Sequence, residues 1–261
     1  AARGERLSRG HRPSGRGRRT SSATFGSRTD VGCVRDHNED SLVVAPPLFA
    51  VADGMGGHAA GEVASEIAVN VLAELAPKDL DGAALEHAVE EANHEIIRAA
   101  RDGRGREGMG TTLTACMLEN ERLVIAQVGD SRAYLLHKGK IQQITRDHSL
   151  MADLIEAGQI TPEEARVHPQ RSVITRALGT EGDNTPDLLA ADLQPGDRFL
   201  LCTDGLTGMT RDDEIERTLL DSQTADEAAD RLIQMALDAG GSDNVTLILC
   251  TGEEGKPWKQ D

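Results

Sequence analysis

A single α/β or α+β domain, with helices flanking strand-rich layers, is the architecture this sequence predicts, and three observations predict it. The 261 residues are enough for one well-buried core and few for two large ones. Short aliphatic runs, apolar on both faces, alternate with stretches in which apolar residues recur every three to four positions. Aromatic residues make up only 2% of the chain, so the core must be built from Val, Leu, Ile, Ala and Met.

The first 22 residues are mostly Arg, Gly, Ser and Pro, which cannot offset the entropy of ordering and are expected to form a disordered basic tail. The tail has no apolar run of the kind that a secretory signal needs. Residues 42–44 and 48–52 are the first strand-like runs. Val63, Ile67, Val71 and Leu75 then mark a helix by their four-residue spacing, and Asp81 opens a second that carries Leu85, Val89 and Ile96. Strands are expected at 112–118, 123–128 and 133–137. Residues 149–158 read as a short helix, and a second follows with Thr161 as cap and Pro162 at its first position. Together they suggest an insertion over about 149–180. A strand at 198–203 precedes a helix capped by Thr224, with Glu227 as its capping-box partner and a stop at Gly240; residues 245–250 form the last strand. Residues 23–255 are thus expected to fold as one domain, with 256–261 as a short C-terminal tail.

Charge and cysteine usage narrow the function classes. The chain carries a net −16, yet residues 1–28 hold eight arginines and one acid, or +7, which leaves −23 on the remainder. That field repels nucleic acid and anionic membranes and favours cations. The tail itself reads equally as a basic arm for nucleic acid, a membrane or an acidic partner, or as a linker. Scarce aromatics disfavour stacking on single strands. No apolar run reaches the roughly 18 residues of a membrane span. The four cysteines (Cys33, Cys116, Cys202, Cys250) have no paired spacing, and at least three lie in apolar runs, so buried reduced thiols and a cytoplasmic location are expected.

The informative pattern is where aspartates fall. The run 48–52 leads into Asp53-Gly54, 123–128 into Gly129-Asp130-Ser131, and 199–203 into Asp204-Gly205; Ser242-Asp243-Asn244 opens the last strand, and Glu39-Asp40 precedes Ser41 and Leu42. Singly, Asp-Gly marks a turn. Gathered at the ends of core strands, carboxylates repel one another unless cations neutralise them, which suggests hard oxygen-liganded ions such as Mg²⁺ or Mn²⁺. Zinc is disfavoured, since no Cys/His set has ligand spacing. A nucleotide P-loop is absent.

These residues resemble the metal-dependent serine/threonine protein phosphatases of type 2C, in the compact bacterial-like form. The matching segments are Thr29-Asp30-Val31-Gly32, Val34-Arg35, Asn38-Glu39-Asp40, Asp53-Gly54-Met55-Gly56-Gly57-His58 and Gly108-Met109-Gly110-Thr111-Thr112. They continue with Val128-Gly129-Asp130-Ser131-Arg132, Thr145-Arg146-Asp147-His148-Ser149, Ile174-Thr175-Arg176-Ala177-Leu178-Gly179, Leu201-Cys202-Thr203-Asp204-Gly205-Leu206 and Gly241-Ser242-Asp243-Asn244-Val245-Thr246. The order of the set, covering about 25–251, is what makes it specific. Met55 stands where the animal branch has its acid histidine, and Thr203 where the family often has Ser.

The resemblance implies an α+β fold: a four-layer α-β-β-α sandwich of two antiparallel sheets flanked by helix pairs, with a small flap insertion. It implies two Mn²⁺ or Mg²⁺ ions, bridged by Asp53 and completed by the Gly54 carbonyl, Asp204 and Asp243, while Glu39 and Asp40 act mostly through bound waters. Asp130, with Asp204, matches the position of a third, weaker ion. Arg35 matches the residue that grips the substrate phosphate, a task suited to a planar guanidinium. A metal-bridged hydroxide would then attack phosphoserine or phosphothreonine of proteins, reversing kinase signalling. His58 is the candidate acid for the leaving oxygen, with a metal-bound water as the alternative. His37 and His148 are expected to orient neighbouring groups. The implied partners are phosphorylated proteins, serine/threonine kinases among them, met by a monomer; the alternative is a catalytically silent phosphoprotein-binding module of the same fold.

Overall fold

A computed structural model of the chain describes residues 24–57, 60–75, 81–119 and 122–251. The basic tail, His58 and the segment 256–261 lie outside these described residues. In chain order the elements are β1 (Thr24–Asp30), β2 (Asp40–Ala45), β3 (Leu48–Met55), α1 (Ala60–Leu75), α2 (Gly82–Arg101), β4 (Gly110–Thr111), β5 (Leu113–Glu119) and β6 (Arg122–Val128). They continue with β7 (Arg132–His137), β8 (Lys140–Gln143), α3 (Leu150–Glu156), α4 (Pro162–Val167), β9 (Asp187–Asp192), β10 (Arg198–Cys202), α5 (Asp204–Thr207), α6 (Asp212–Asp221), α7 (Ala225–Asp238) and β11 (Val245–Thr251).

The strands form two antiparallel sheets. One runs β1-β11-β10-β7-β8 and the other β2-β3-β5-β6-β9, with β4 paired to β3. Alternation along each strand feeds three apolar layers. Leu48, Ala50 and Ala52 of β3 meet Ala64, Ala68 and Leu72 of α1 and Leu85 and Ile96 of α2. The intervening Phe49 and Val51 point to the other face, against Phe199, Leu201 and Ile248 of the second sheet. On the far side of that sheet Leu200, Leu247 and Leu249 pack on Ile215, Leu219, Leu232 and Ala236 of α6 and α7. Strands buried on both faces need apolar residues at every position, which is why β3, β10 and β11 read as continuous aliphatic runs. The result is the four-layer α-β-β-α sandwich.

Local chemistry explains the helix boundaries. Asp81 caps α2 by accepting from the amides of Ala83 and Ala84, and Thr161 with Glu164 forms a reciprocal capping box on α4. At α7, Thr224 accepts from Glu227 N, but the Glu227 carboxylate reaches past it to Gln223 N at 2.7 Å, so the expected reciprocal box is not closed. The inward face of α1 also differs from the expected one. Ala60, Gly61, Ala64, Ser65, Ala68 and Leu72 are buried, whereas Val63, Ile67 and Val71 are only partly covered and Leu75 is 47% exposed. Small residues let the helix backbone approach β3 closely, and the branched residues pack along its flank. The short helix expected over 149–158 stops at Glu156. Cys116, Cys202 and Cys250, the three in apolar runs, are buried free thiols as expected, and Cys33, on the open loop after β1, is exposed. Among the described residues no helix is long and apolar enough to cross a membrane.

Candidate active site

The two sheets bring their strand ends together at one edge of the sandwich, and there the expected carboxylates converge. Antiparallel pairing of β2 with β3 sets Asp40 opposite Asp53. Gly54 follows, and a Cβ on it would overlap the carbonyl oxygens of Gly61 and Glu39, so only glycine lets the start of α1 close on the end of β3. Its amide donates to Glu39 O at 3.1 Å, fixing the acidic strand entry beside Asp53. On the other side Asp53 N donates to Thr112 Oγ1 at 3.0 Å, and Thr111 Oγ1 donates to Asp53 O at 3.0 Å.

The second sheet supplies Asp204 and Asp243. Asp204 begins α5 directly after β10, and a Cβ at Gly205 would overlap the Asn244 carbonyl, so the helix start presses against the segment that precedes β11. Thr203 Oγ1 donates to Asp40 Oδ2 at 2.8 Å and accepts from Thr246 N at 3.0 Å, tying the two sheets together through Asp40. Asp130 follows β6 at the same edge.

Charge shows how closely these groups crowd. Burial pushes Asp40 up to about 7, with Asp204 and Asp243 adding to the rise against the hydroxyls of Thr246 and Thr203. Burial also holds Asp53 well above the usual carboxylate range, reinforced by Asp40, Asp204 and Asp130. Asp130 is raised by burial and then by Asp204 and Asp147, and Asp204 by burial and then by Asp243, while Arg132 draws both of them down. Like-charged carboxylates in a desolvated site favour protonation until a cation replaces the proton.

Among the described residues, two buried side-chain oxygens have no hydrogen-bond partner: Asp40 Oδ1 and Asp204 Oδ1. Both belong to this cluster. Buried carboxylate oxygens are normally paired, so this pair fits an ion-binding role. Among the described residues no three His, Cys, Asp or Glu side chains form a ready ligand set for one ion. The donors that do meet at this edge are carboxylate oxygens, which suit a hard, oxygen-liganded ion such as Mg²⁺ or Mn²⁺.

Arg35 lies on the loop between β1 and β2 and donates from Nη2 to Asp243 Oδ2 at 2.9 Å, with its side chain 51% exposed. The Asp243 charge is the chief cause of a raised guanidinium pKa, so Arg35 is a permanent cation facing both the cluster and solvent. Glu39 is half-buried at the end of the same loop. Every expected site residue but His58, which falls outside the described residues, is therefore at this edge.

Two supporting residues were not singled out from sequence. Asn244, buried, accepts from Glu39 N at 2.8 Å and donates to the carbonyls of Val31 and His37 at 2.9 Å each, so one amide shapes the loop that bears Arg35 and Glu39. Arg132 grips Asp147 through Nε at 2.9 Å and Nη2 at 2.7 Å and donates to Tyr134 OH at 2.8 Å, lodging a cation behind the carboxylates. Both sit inside motifs quoted above, but nothing in an Asn or Arg beside an Asp announces a scaffold role.

A sequence model of the family described as Protein phosphatase 2C matches residues 14–245. Serine/threonine protein phosphatase PstP of Mycobacterium tuberculosis is 46% identical over 228 residues, 86% of this chain and 44% of its own length. The chain thus spans less than half of that curated relative. Serine/threonine phosphatase stp of Listeria innocua is 42% identical over 235 residues, 85% of this chain and 93% of its own. The crystal structure of the M. tuberculosis phosphatase PstP/Ppp superposes with a TM-score of 0.83 at 44% identity, covering 89% of this chain and 99% of that one. The catalytic domain of PstP in complex with two manganese ions gives a TM-score of 0.81 at 42% identity, covering 88% and 97%. Sequence, fold and the order of the acidic motifs agree that this chain belongs to the protein phosphatase 2C family.

Proposed function

We propose that the domain hydrolyses phosphoserine and phosphothreonine in proteins with the help of Mn²⁺ or Mg²⁺. The observation that carries this reading is the pair of buried, partnerless oxygens, Asp40 Oδ1 and Asp204 Oδ1, within a cluster of five mutually repelling aspartates. In this reading Asp53, the Gly54 carbonyl, Asp204 and Asp243 hold two ions, with Glu39 and Asp40 acting through water and Asp130 joining Asp204 at a third, weaker position. Divalent ions held there neutralise phosphate charge and ease deprotonation of water.

The remaining work falls to the chain's own side chains. Arg35 is a bidentate donor for a phosphate dianion, and its ion pair with Asp243 keeps the guanidinium turned toward the cluster before substrate arrives. His58 donates a proton to the leaving serine or threonine oxygen. Thr112 and Thr111 fix the backbone of Asp53, and the Thr203 hydroxyl holds the Asp40 carboxylate, without adding charge to the site. Phosphorylated proteins, including serine/threonine kinases and their targets, are the proposed partners of a monomeric enzyme. The four free thiols support a reducing, cytoplasmic setting.

Hydrolysis of a phosphothreonine peptide by the purified protein, with Mn²⁺, with Mg²⁺ and with excess EDTA, tests the proposal. Phosphate release that requires metal is expected. Folded protein that releases none with either metal overturns it in favour of a silent phosphoprotein-binding module.

A further inference from the structure

His148 precedes the cap of α3 and is 1% exposed, and both of its ring nitrogens are engaged. Nδ1 accepts from the backbone amide of Gly129 at 3.1 Å, and Nε2 lies 2.9 Å from Asp187 Oδ2. A backbone amide can only donate, so Nδ1 can only accept; the ring proton therefore sits on Nε2, where Asp187 takes it. Arg176 Nη1 donates to the other oxygen, Asp187 Oδ1, at 3.0 Å, which holds the carboxylate from a second side. The backbone completes the clamp. His148 N donates to Gly129 O at 2.9 Å and His148 O accepts from Thr175 N at 2.9 Å.

Gly129 is thus bound by one residue at both its amide and its carbonyl. It has φ +103°, and a Cβ there would overlap Thr112, so its backbone has little freedom to repack. The next residue is Asp130. We propose that His148, as the Nε2-protonated tautomer, is a positioning residue that fixes the Gly129-Asp130 peptide and so aims the Asp130 carboxylate into the acidic cluster. Asp187, the first residue of β9, and Arg176, near the end of the 149–180 insertion, serve to hold that tautomer. This rests on the metal-dependent reading above, in which Asp130 contributes to the weakest cation position.

Two substitutions separate the ring's halves. In His148→Asn the amide oxygen stands roughly where Nδ1 does and can accept from Gly129. In His148→Gln the amide nitrogen stands roughly where Nε2 does and can donate to Asp187. Mn²⁺ alone is titrated calorimetrically into the metal-free full chain of the wild type, both variants and Asp130→Asn, with melting temperature and near-ultraviolet dichroism recorded on each. The Asn variant is expected to keep the weakest binding step within about threefold, whereas the Gln variant weakens it by about 10- to 100-fold, toward Asp130→Asn, with the tighter steps unchanged. In the ¹⁵N-histidine spectrum of the wild type, one buried ring should show a bare Nδ1 and a protonated Nε2. Weak-step binding in the Gln variant equal to that of the wild type, equal losses in both folded variants, or a protonated Nδ1 overturns the proposal. If the wild type binds no Mn²⁺, the metal reading fails and the proposal with it; a wild-type weak step that Asp130→Asn removes and His148→Gln leaves intact defeats the clamp alone. Should neither variant fold, the wild-type tautomer decides.

Discussion

Asn244 carries no charge, yet its one amide makes three hydrogen bonds that shape the site. It accepts the Glu39 amide and donates to the Val31 and His37 carbonyls, so the loop that presents Arg35 and Glu39 is shaped by a single buried side chain. Truncation leaves one donor and two acceptors to find new partners, at a cost of about 1–3 kcal/mol for each group that stays dry. Asn244→Ala should therefore lower stability by about 2–4 kcal/mol in urea unfolding, with KM for a phosphopeptide raised more than kcat falls, because Arg35 loses its register. An unchanged KM would mean that the loop is held by other contacts. The acidic half of the site was legible in the sequence, because Asp and Asp-Gly at the ends of core strands are an unusual place to collect charge. Asn244 and the Arg132-Asp147 pair were not legible as supports, since those roles appear only once the fold brings Asn244 onto the loop of residues 31–39 and sets the Arg132-Asp147 pair behind the carboxylates.

At the scale of elements, the same logic sorts what the pattern revealed. β3, β5, β6, β7, β10 and β11 are buried and aliphatic, and the sequence predicted each of them. β8 (Lys-Ile-Gln-Gln) ends one sheet and β9 (Asp-Leu-Leu-Ala-Ala-Asp) the other, where a strand needs only one dry face; neither was expected. β1 is mostly polar and becomes a strand because seven of its residues pair with β11. α6 was missed too, its inward face being only Ile215, Thr218 and Leu219. The two-sided burial of β11 makes a direct prediction. Ile248 faces the other sheet and Leu249 faces α7, both fully buried. Ile248→Ala and Leu249→Ala should each cost about 2–5 kcal/mol with little change in denaturant slope. A sandwich open on either side would lose stability at only one of the two.

For the whole molecule, the acidic edge gathers like charges where burial disfavours them. The chain's net charge is −16, and four desolvated aspartates and the partly exposed Asp243 share one corner, where burial and mutual repulsion raise Asp40, Asp53, Asp130 and Asp204 above the usual carboxylate range. The unfolded chain spreads those charges into water and binds divalent ions poorly, so an ion that enters this corner stabilises the folded state alone. At a free Mn²⁺ concentration a hundred times the dissociation constant, each site should add about 2.7 kcal/mol, which for a domain of this size is a rise in melting temperature on the order of 5 to 10 °C. Asp53→Asn should lose most of that rise, because Asp53 is the carboxylate assigned to both ions. In EDTA, however, the variant should melt no lower than the wild type, since an amide replaces a carboxyl whose charged form is already disfavoured there. Calorimetric scans of both proteins with and without Mn²⁺ separate the two effects. A variant that melts much lower in EDTA would show Asp53 to be a structural support of the fold, and an undiminished Mn²⁺ shift would remove it from the ion site.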